Sequence, residues 1–143
     1  MRTHQTIKER LSIDASVNAH ALATNATAEQ TTAPDAWVDM QGYQRVLGIG
    51  NCGESGANGS KFKVQLRQAK DSAGDGAKDL GDEVVVDMDD GDTGFAIVEA
   101  SVNDLDLDND FRYVGVQIAY DPGSEDSVDA SAEIIRADGS YRP

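Results

Sequence analysis

The sequence predicts an all-β protein: an antiparallel β-sandwich of jelly-roll or related Greek-key topology with an extended N-terminal arm. Three observations support this prediction. About seven short segments are apolar or alternate apolar with polar residues, as strands do. Clusters rich in glycine and aspartate separate these segments and are typical of turns. No helical repeat is long enough for βαβ units, and closely spaced strands without such helices favour a sandwich.

Residues 1–35 are predicted to form the arm and residues 36–143 the sandwich domain, because a chain of 143 residues fits one core. The start of the arm could form one or two helical turns. The stretch SVNAHALAT alternates only weakly and could equally add a strand to a neighbouring sheet. No apolar run reaches signal-peptide length or the roughly 18 residues of a membrane helix, so no membrane partner is expected.

The strand prediction rests on alternation within the domain. In KFKVQLRQ, Phe62, Val64 and Leu66 alternate with polar residues, which predicts one core face and one wet face. In FRYVGVQIAY both faces are largely apolar, which predicts a covered strand. AWVDM and RVLGIGNCG are predicted as two strands about the turn QGYQ. The stretch SVDASAEIIR is predicted to close the sheets with one inward row: Val128, Ala130, Ala132 and Ile134.

Two predictions concern connections. The glycine- and aspartate-rich stretch from Ala69 to Asp82 is predicted to be one long exposed loop. The apolar segments EVVVDM and GFAIVEAS are separated by DDGDTG, a length that suits a hairpin. These two segments are therefore expected to pair antiparallel with each other.

The charge balance constrains the partners. There are 26 acidic residues and 12 basic ones, for a formal net charge of −14. Such a chain repels phosphate backbones, so nucleic acid is not expected as a partner. The first ten residues are the exception, since Arg2, Lys8 and Arg10 outweigh Glu9. The acidity therefore belongs to the body of the protein.

The residues that could carry catalysis are scattered, so no enzyme activity, catalytic residue or cofactor is predicted. His4 and His20 both lie in the predicted arm, far in sequence from Cys52, so no nucleophile is paired with a base. Cys52 is interpreted as a small apolar filler at a strand end. GIGNCG matches a dinucleotide fingerprint only loosely, because it lacks a following helix and the third glycine. The single tryptophan, Trp37, is expected in the core or at an interface.

Calcium is the one metal that the sequence raises, because calcium prefers several carboxylate oxygens. The register of an EF-hand is missing, since Val86 and Met88 would fall on ligand positions. We therefore assign no metal site and expect the aspartates to decorate a hairpin loop, with a calcium site of another type as the alternative. The calcium candidates are Asp87, Asp89, Asp90 and Asp92.

Several motifs in order resemble a known group of proteins. VDMQGYQRVLGIGNCG, KFKVQLRQAKDSAGDG, FRYVGVQIAY and the final SYRP resemble small tailed-phage head decoration (cement) proteins with a jelly-roll-like β-sandwich. The resemblance spans residues 36–143. This sequence departs from the group in its acidity, in its loop from Ala69 to Asp82 and in its arm.

The resemblance implies a virion structural protein that binds the outside of a tailed-phage capsid and stabilises the head. Its implied partners are the major capsid protein and neighbouring copies of itself, as a homo-trimer or homo-dimer. It would be made in the host cytoplasm and would end on the capsid surface. Two alternatives stay open: another virion component of the neck, tail or spike, and a carbohydrate-binding β-sandwich module.

Overall fold

A computed structural model describes residues 11–138, which form nine strands and two short 3₁₀ helices. The helices, Val102–Asp104 and Leu107–Asn109, connect the seventh strand to the eighth. The all-β prediction is confirmed. The strands are β1 (Ser12–Ala26), β2 (Gln30–Thr32), β3 (Val38–Asp39), β4 (Arg45–Cys52), β5 (Ser60–Ala69), β6 (Lys78–Met88), β7 (Gly94–Ser101), β8 (Tyr113–Asp121) and β9 (Asp126–Ala137).

The strands form two antiparallel sheets with jelly-roll topology. The first sheet has the order β1-β9-β4-β7 and the second the order β2-β8-β5-β6, with β3 also paired to β8. Because β2 and β3 pair with successive parts of β8, they act as one interrupted strand. The pairs are then nested: β1 with β9, β2 and β3 with β8, β4 with β7, and β5 with β6. A long hairpin rolled up in this way is a jelly roll, so the predicted sandwich is confirmed.

The core lies between the sheets and includes the rows of β5 and β9 that alternation predicted to face inward. Phe62, Val64 and Leu66 of β5 are all at most 1% exposed. The inward row of β8 is fully buried as well, and the inward row of β9 packs opposite it. Gln65 departs from the predicted wet face of β5. It is buried because its amide donates to the carbonyl oxygens of Leu80 and Gly81, where β6 bulges away from β5.

Two glycines of β4 allow the sheets to approach closely. A Cβ atom at Gly48 would lie 2.8 Å from Val116 Cγ2, and one at Gly50 would lie 2.5 Å from Val64 Cγ2. No side chain fits at either position without moving a packed residue of the second sheet.

Fifteen residues of the predicted arm form a strand of the sandwich. Residues 12–26 form β1, which pairs with β9 of the same chain, and Val17, Leu22 and Ala23 enter the core. This agrees with the prediction that SVNAHALAT adds a strand to a neighbouring sheet, and that sheet is part of the same chain. Alternation is weak in the sequence because β1 carries several register shifts, each of which interrupts the two-residue period. The part of the arm prediction on residues 1–10, and the final SYRP motif, lie outside the described residues.

The predicted hairpin between EVVVDM and GFAIVEAS is wrong. β6 pairs with β5 in the second sheet, whereas β7 pairs with β4 in the first, so residues 89–93 cross between the sheets. A short turn can serve either connection, and apolar alternation does not specify a hydrogen-bonding partner. The true hairpin joins β5 to β6. Its loop is residues 70–77, shorter than the predicted loop, because β6 begins at Lys78 and Leu80 is 3% exposed.

Candidate interaction surface

Three of the four calcium candidates lie at the crossing between β6 and β7, and Asp87 lies near the end of β6; three of the four carboxylates hold local contacts. Asp87 forms an ion pair with Lys61 at 3.1 Å. Asp89 accepts a hydrogen bond from the Gly59 N–H at 3.2 Å, and Asp92 accepts one from the Asp89 N–H at 2.9 Å. The Asp90 backbone N–H donates a hydrogen bond to the Asn58 side-chain oxygen. Within residues 11–138, no three Asp, Glu, His or Cys side chains converge as metal ligands would.

His20 and Cys52 lie on the strands on either side of β9, and each makes its own contacts. His20 contacts the Asn18 carbonyl oxygen at 2.8 Å and Thr32 Oγ1 at 2.9 Å, which ties β1 to β2. Cys52 ends β4 and is 5% exposed, as expected for an apolar filler. Burial, with the nearby charges of Asp126 and Asp129, raises the pKa of its thiol to about 12. The thiolate needed for nucleophilic attack is therefore scarce at neutral pH. His4 lies outside the described residues.

Sequence reasoning missed a polar cluster at the end of the sandwich near Cys52. The fully buried Tyr120 donates a hydrogen bond to Asp126, and its hydroxyl also lies 2.9 Å from Ser55 Oγ. Burial raises the pKa of Tyr120, as does the bond to Asp126. Burial opposes ionisation of Asp126, but hydrogen bonds from Tyr120 and from the N–H groups of Ser127 and Gly56 outweigh it and lower the pKa. The cluster ties the loop after β4 to β8 and β9, which is a structural role.

The outer face of the second sheet is charged. Three ion pairs cross it: Lys61–Asp87 at 3.1 Å, Lys63–Glu29 at 2.6 Å and Arg67–Asp79 at 2.9 Å. Antiparallel sheets commonly expose such a polar face to water.

The segment that leads into β3 covers part of the same face. A Cβ atom at Gly115 would lie 2.6 Å from Pro34 Cβ and 3.2 Å from Trp37 Cε3. Trp37 is thus half-buried on the outside of the second sheet rather than between the sheets.

The outer face of the first sheet carries a group of exposed apolar residues, flanked by Glu99 opposite Leu47 and by Glu133 opposite Ile49. Ile13, Phe95 and Ile97 are 63%, 58% and 47% exposed, and their apolar neighbours Leu47, Ile49 and Ile135 are half-buried. Large apolar residues so exposed on one face commonly mark a surface that binds a partner. We call this surface the apolar band. It consists of Ile13 of β1, Ile135 of β9, Leu47 and Ile49 of β4, and Phe95 and Ile97 of β7.

Strand register makes the apolar band continuous. Ile135 lies opposite Ile13 on one side and opposite Leu47 on the other. One row further, Ile49 lies opposite Ile97. Directly opposed side chains lie ~5 Å apart, and diagonal neighbours ~7–8 Å, so the rows touch. The band therefore crosses all four strands of the sheet.

Polar groups border the apolar band. Arg45 and Glu99 approach to 3.9 Å beside Leu47, and both are well exposed. A shallow groove of about 290 Å³ opens here and is lined by Leu11, Leu47 and Ile135 among others. An apolar centre with a charged rim is the usual anatomy of a protein–protein interface.

The sequence did carry a signal for the apolar band. In GFAIVEAS and RVLGIG, residues on both alternating rows are apolar, whereas an antiparallel strand with one wet face alternates more clearly. Such a doubly apolar strand indicates either burial on both faces or an unfilled contact surface.

No helix in the part of the chain that the structure describes is long and apolar enough to span a membrane.

Comparison with known proteins gives a fold and no family. No protein-family model and no curated protein matches the sequence. Three solved structures of infectious bursal disease virus are similar in fold. The Gx strain gives a TM-score of 0.58 at 10% identity, covering 94% of this chain and 34% of that one. The T13 viral particle gives 0.52 at 8%, covering 90% and 31%.

The VP2 subviral particle of the same virus gives a TM-score of 0.52 at 8% identity, covering 91% of this chain and 32% of that one. The chain thus spans about a third of the length of these viral chains. At this identity the likeness concerns the fold alone. The protein has the β-sandwich fold found in these virus particles.

Proposed function

We propose that the protein is a virion structural protein that binds the outside of a tailed-phage capsid as a decoration or cement protein. One observation carries the proposal: a jelly roll of the kind found in virus particles has an apolar band on one outer face and ion pairs on the other. The apolar band would face the major capsid protein. The ion-paired face would face water.

The energetics suit a protein present in many copies. Burying a large apolar side chain completely contributes ~1.5–3 kcal/mol, and the most exposed residues of the apolar band are about half exposed. Each of Ile13, Phe95 and Ile97 would then contribute ~1 kcal/mol on docking. This is modest for one contact, but copies joined to one another gain by avidity.

The acidity suits a protein on the surface of a particle. With a net charge of −14, decorated particles would repel one another in solution. The residues of the apolar band carry no charge, and Glu99 and Glu133 of the same face would flank the band in the docked state.

The test is binding of the purified protein to heads that lack it, with its position read by cryo-electron microscopy. We expect density over the whole head. The double variant Ile13→Lys with Ile135→Lys should abolish binding, because both positions lie in the apolar band. Val85→Lys is the matched control, since Val85 is 45% exposed but lies on β6 of the other sheet.

Two outcomes would contradict the proposal. If the Ile13 and Ile135 variant bound as well as the control, the apolar band would not be the docking surface. If the protein occupied a single vertex or the tail instead of the head surface, it would be a neck, tail or spike component.

A further inference from the structure

The four edges of the two sheets differ in how they resist pairing with another strand. The β1 edge carries several register shifts, and β2 and β3 on another edge have only three and two residues. The β6 edge bulges at residues 81–83, where Asp82 and Glu83 add charge. Bulges, short strands and charges are the usual means by which sheets avoid edge-to-edge association.

The β7 edge has a single charge and neither of the other two protections. Gly94–Ser101 pairs with β4 without a register shift, contains no proline and carries one charged residue, Glu99. Within residues 11–138, no strand pairs with its other side. An unprotected edge strand with exposed apolar side chains is a template for another strand.

Backbone hydrogen bonds identify the groups that point to this open side. The Gly53 N–H donates to the Asp129 carbonyl oxygen at 2.7 Å, so odd-numbered residues of β4 bond to β9. The Val102 N–H donates to the Gln44 carbonyl oxygen at 2.8 Å, so even-numbered residues bond to β7. Since bonded and non-bonded pairs alternate, the odd-numbered residues of β7 direct their N–H and C=O groups away from β4. Apart from Ser101 at the strand end, these are Phe95, Ile97 and Glu99.

We propose that β7 pairs antiparallel with β7 of a second copy of this chain, about a two-fold axis at Ile97. With Ile97 opposite itself, Phe95 lies opposite Glu99 in both directions. The backbone N–H and C=O groups of all three residues then form hydrogen bonds with the other copy of β7, and the turn before β7 takes no part. This interface goes beyond capsid binding and needs no capsid to form.

A second copy is the occupant that the charges and the apolar band favour. At a net charge of −14, two copies repel over most of their surface, but β7 holds a single carboxylate, and Arg45 lies beside it. The apolar band reaches the edge of the sheet at Phe95 and Ile97. Pairing therefore joins the two bands into one face of double width. An antiparallel pair of identical strands is also an isologous contact, the commonest symmetry of dimers.

The same geometry places like charges at both ends of the interface. Asp92 precedes β7 and Asp104 follows it, so these carboxylates of opposite copies approach each other. Salt screens such repulsion, with a Debye length of ~8 Å at 0.15 M and ~3 Å at 1 M. The dimer should therefore be tighter at high salt.

Cross-linking tests the axis directly. Residues that share a hydrogen-bonded antiparallel pair have Cα atoms ~5.5 Å apart, within reach of a disulfide. Oxidation of the Ile97→Cys variant should give a covalent dimer. The Phe95→Cys variant is the matched control, because that residue faces Glu99 and not itself. The buried Cys52 does not compete, since burial holds its thiol protonated.

Sedimentation of the full chain supplies the second measurement. We expect a dimer at about 100 µM, with the dissociation constant falling as salt rises. Ile97→Pro should give a folded monomer, because the lost N–H points away from β4, and proline is tolerated at such edge positions. Its circular dichroism and urea midpoint report whether it has folded, and Val85→Lys should remain dimeric.

The proposal is overturned if the unaltered protein is a monomer under these conditions. It is also overturned if Phe95→Cys cross-links as well as Ile97→Cys does. The Ile13 and Ile135 variant separates this interface from capsid docking. Ile13 lies three strands from β7, or ~14 Å, so that variant should dimerise normally even where it fails to bind heads.

Discussion

Replacing Gly50 with alanine should destabilise the sandwich by about 2 kcal/mol. The added Cβ atom would lie 2.5 Å from Val64 Cγ2 and 3.1 Å from Phe62 Cζ. Both of those side chains are completely buried in the opposite sheet. β4 cannot move back to make room, because it is hydrogen-bonded to β7 on one side and to β9 on the other.

The magnitude follows from two opposing effects. Overpacking a filled core costs ~1–3 kcal/mol, and the upper end applies where two buried side chains must shift together. Alanine also restricts the unfolded chain relative to glycine, which stabilises the protein by ~0.4–1 kcal/mol. About 3 kcal/mol of overpacking less about 0.7 kcal/mol of entropy leaves a loss of about 2 kcal/mol.

Urea denaturation followed by circular dichroism would measure the free energy of unfolding. The matched control is Gly53→Ala, just after the same strand, where the nearest atom to the new Cβ is the Asp129 carbonyl oxygen at 3.4 Å. That is ordinary contact, so the control should be neutral or slightly stabilising. The packing argument fails if the free energy of unfolding of the Gly50→Ala variant lies within about 0.5 kcal/mol of that of the unaltered protein and both depend equally on urea concentration.

Four further outcomes follow from the polar end of the sandwich and the turn before β7. Tyr120→Phe should cost ~1–3 kcal/mol in urea denaturation, because it removes the hydrogen bonds of the hydroxyl to the Asp126 carboxylate and to Ser55; an unchanged midpoint would contradict this. The pKa of Asp126 is lowered on folding. This carboxylate therefore stabilises the protein above its unfolded pKa of ~3.9, and the stabilisation is lost as the pH falls through the folded pKa. The Asp126→Asn variant should be less stable than the unaltered protein at pH 7, and its stability should fall less steeply below about pH 4. Cys52 should react with a thiol reagent at pH 8 only as fast as the protein unfolds, because burial raises its pKa to about 12, and immediate labelling would refute this. Millimolar calcium should leave the melting temperature unchanged, since the aspartates before β7 do not converge; a rise would restore the calcium alternative.

Local sequence was enough to find the strands that form the centre of each sheet. Phe62, Val64 and Leu66 alternate in β5 because that strand has one row in the core, and β8 reads as doubly apolar because its other row is partly covered by Pro34 and Trp37. Burial of this kind can be recognised in the sequence, because each buried position holds an apolar residue. β1 was harder to recognise, because its register shifts break the two-residue period that identifies a strand.

The candidate surface could be inferred only in part. The sequence indicated that β4 and β7 are apolar on both rows, but their outer rows become one band only when register places Ile49 opposite Ile97 and Ile135 opposite Leu47. The sequence could not show whether the aspartates raised as calcium candidates converge, since the spacing of carboxylates does not determine where their side chains point.

By itself the sequence determined the all-β class, the inward rows of β5 and β9, the covered strand β8 and the net acidity, because side-chain hydrophobicity and charge are properties of single residues. Only the tertiary structure decided which strands are neighbours: that β6 and β7 lie in different sheets, that β1 joins the first sheet, and that β7 is left with an open edge. The physical reason is that strands are joined by backbone hydrogen bonds, and every residue except proline offers the same N–H and C=O groups. Partner choice therefore depends on how the whole chain rolls up to bury its apolar rows together.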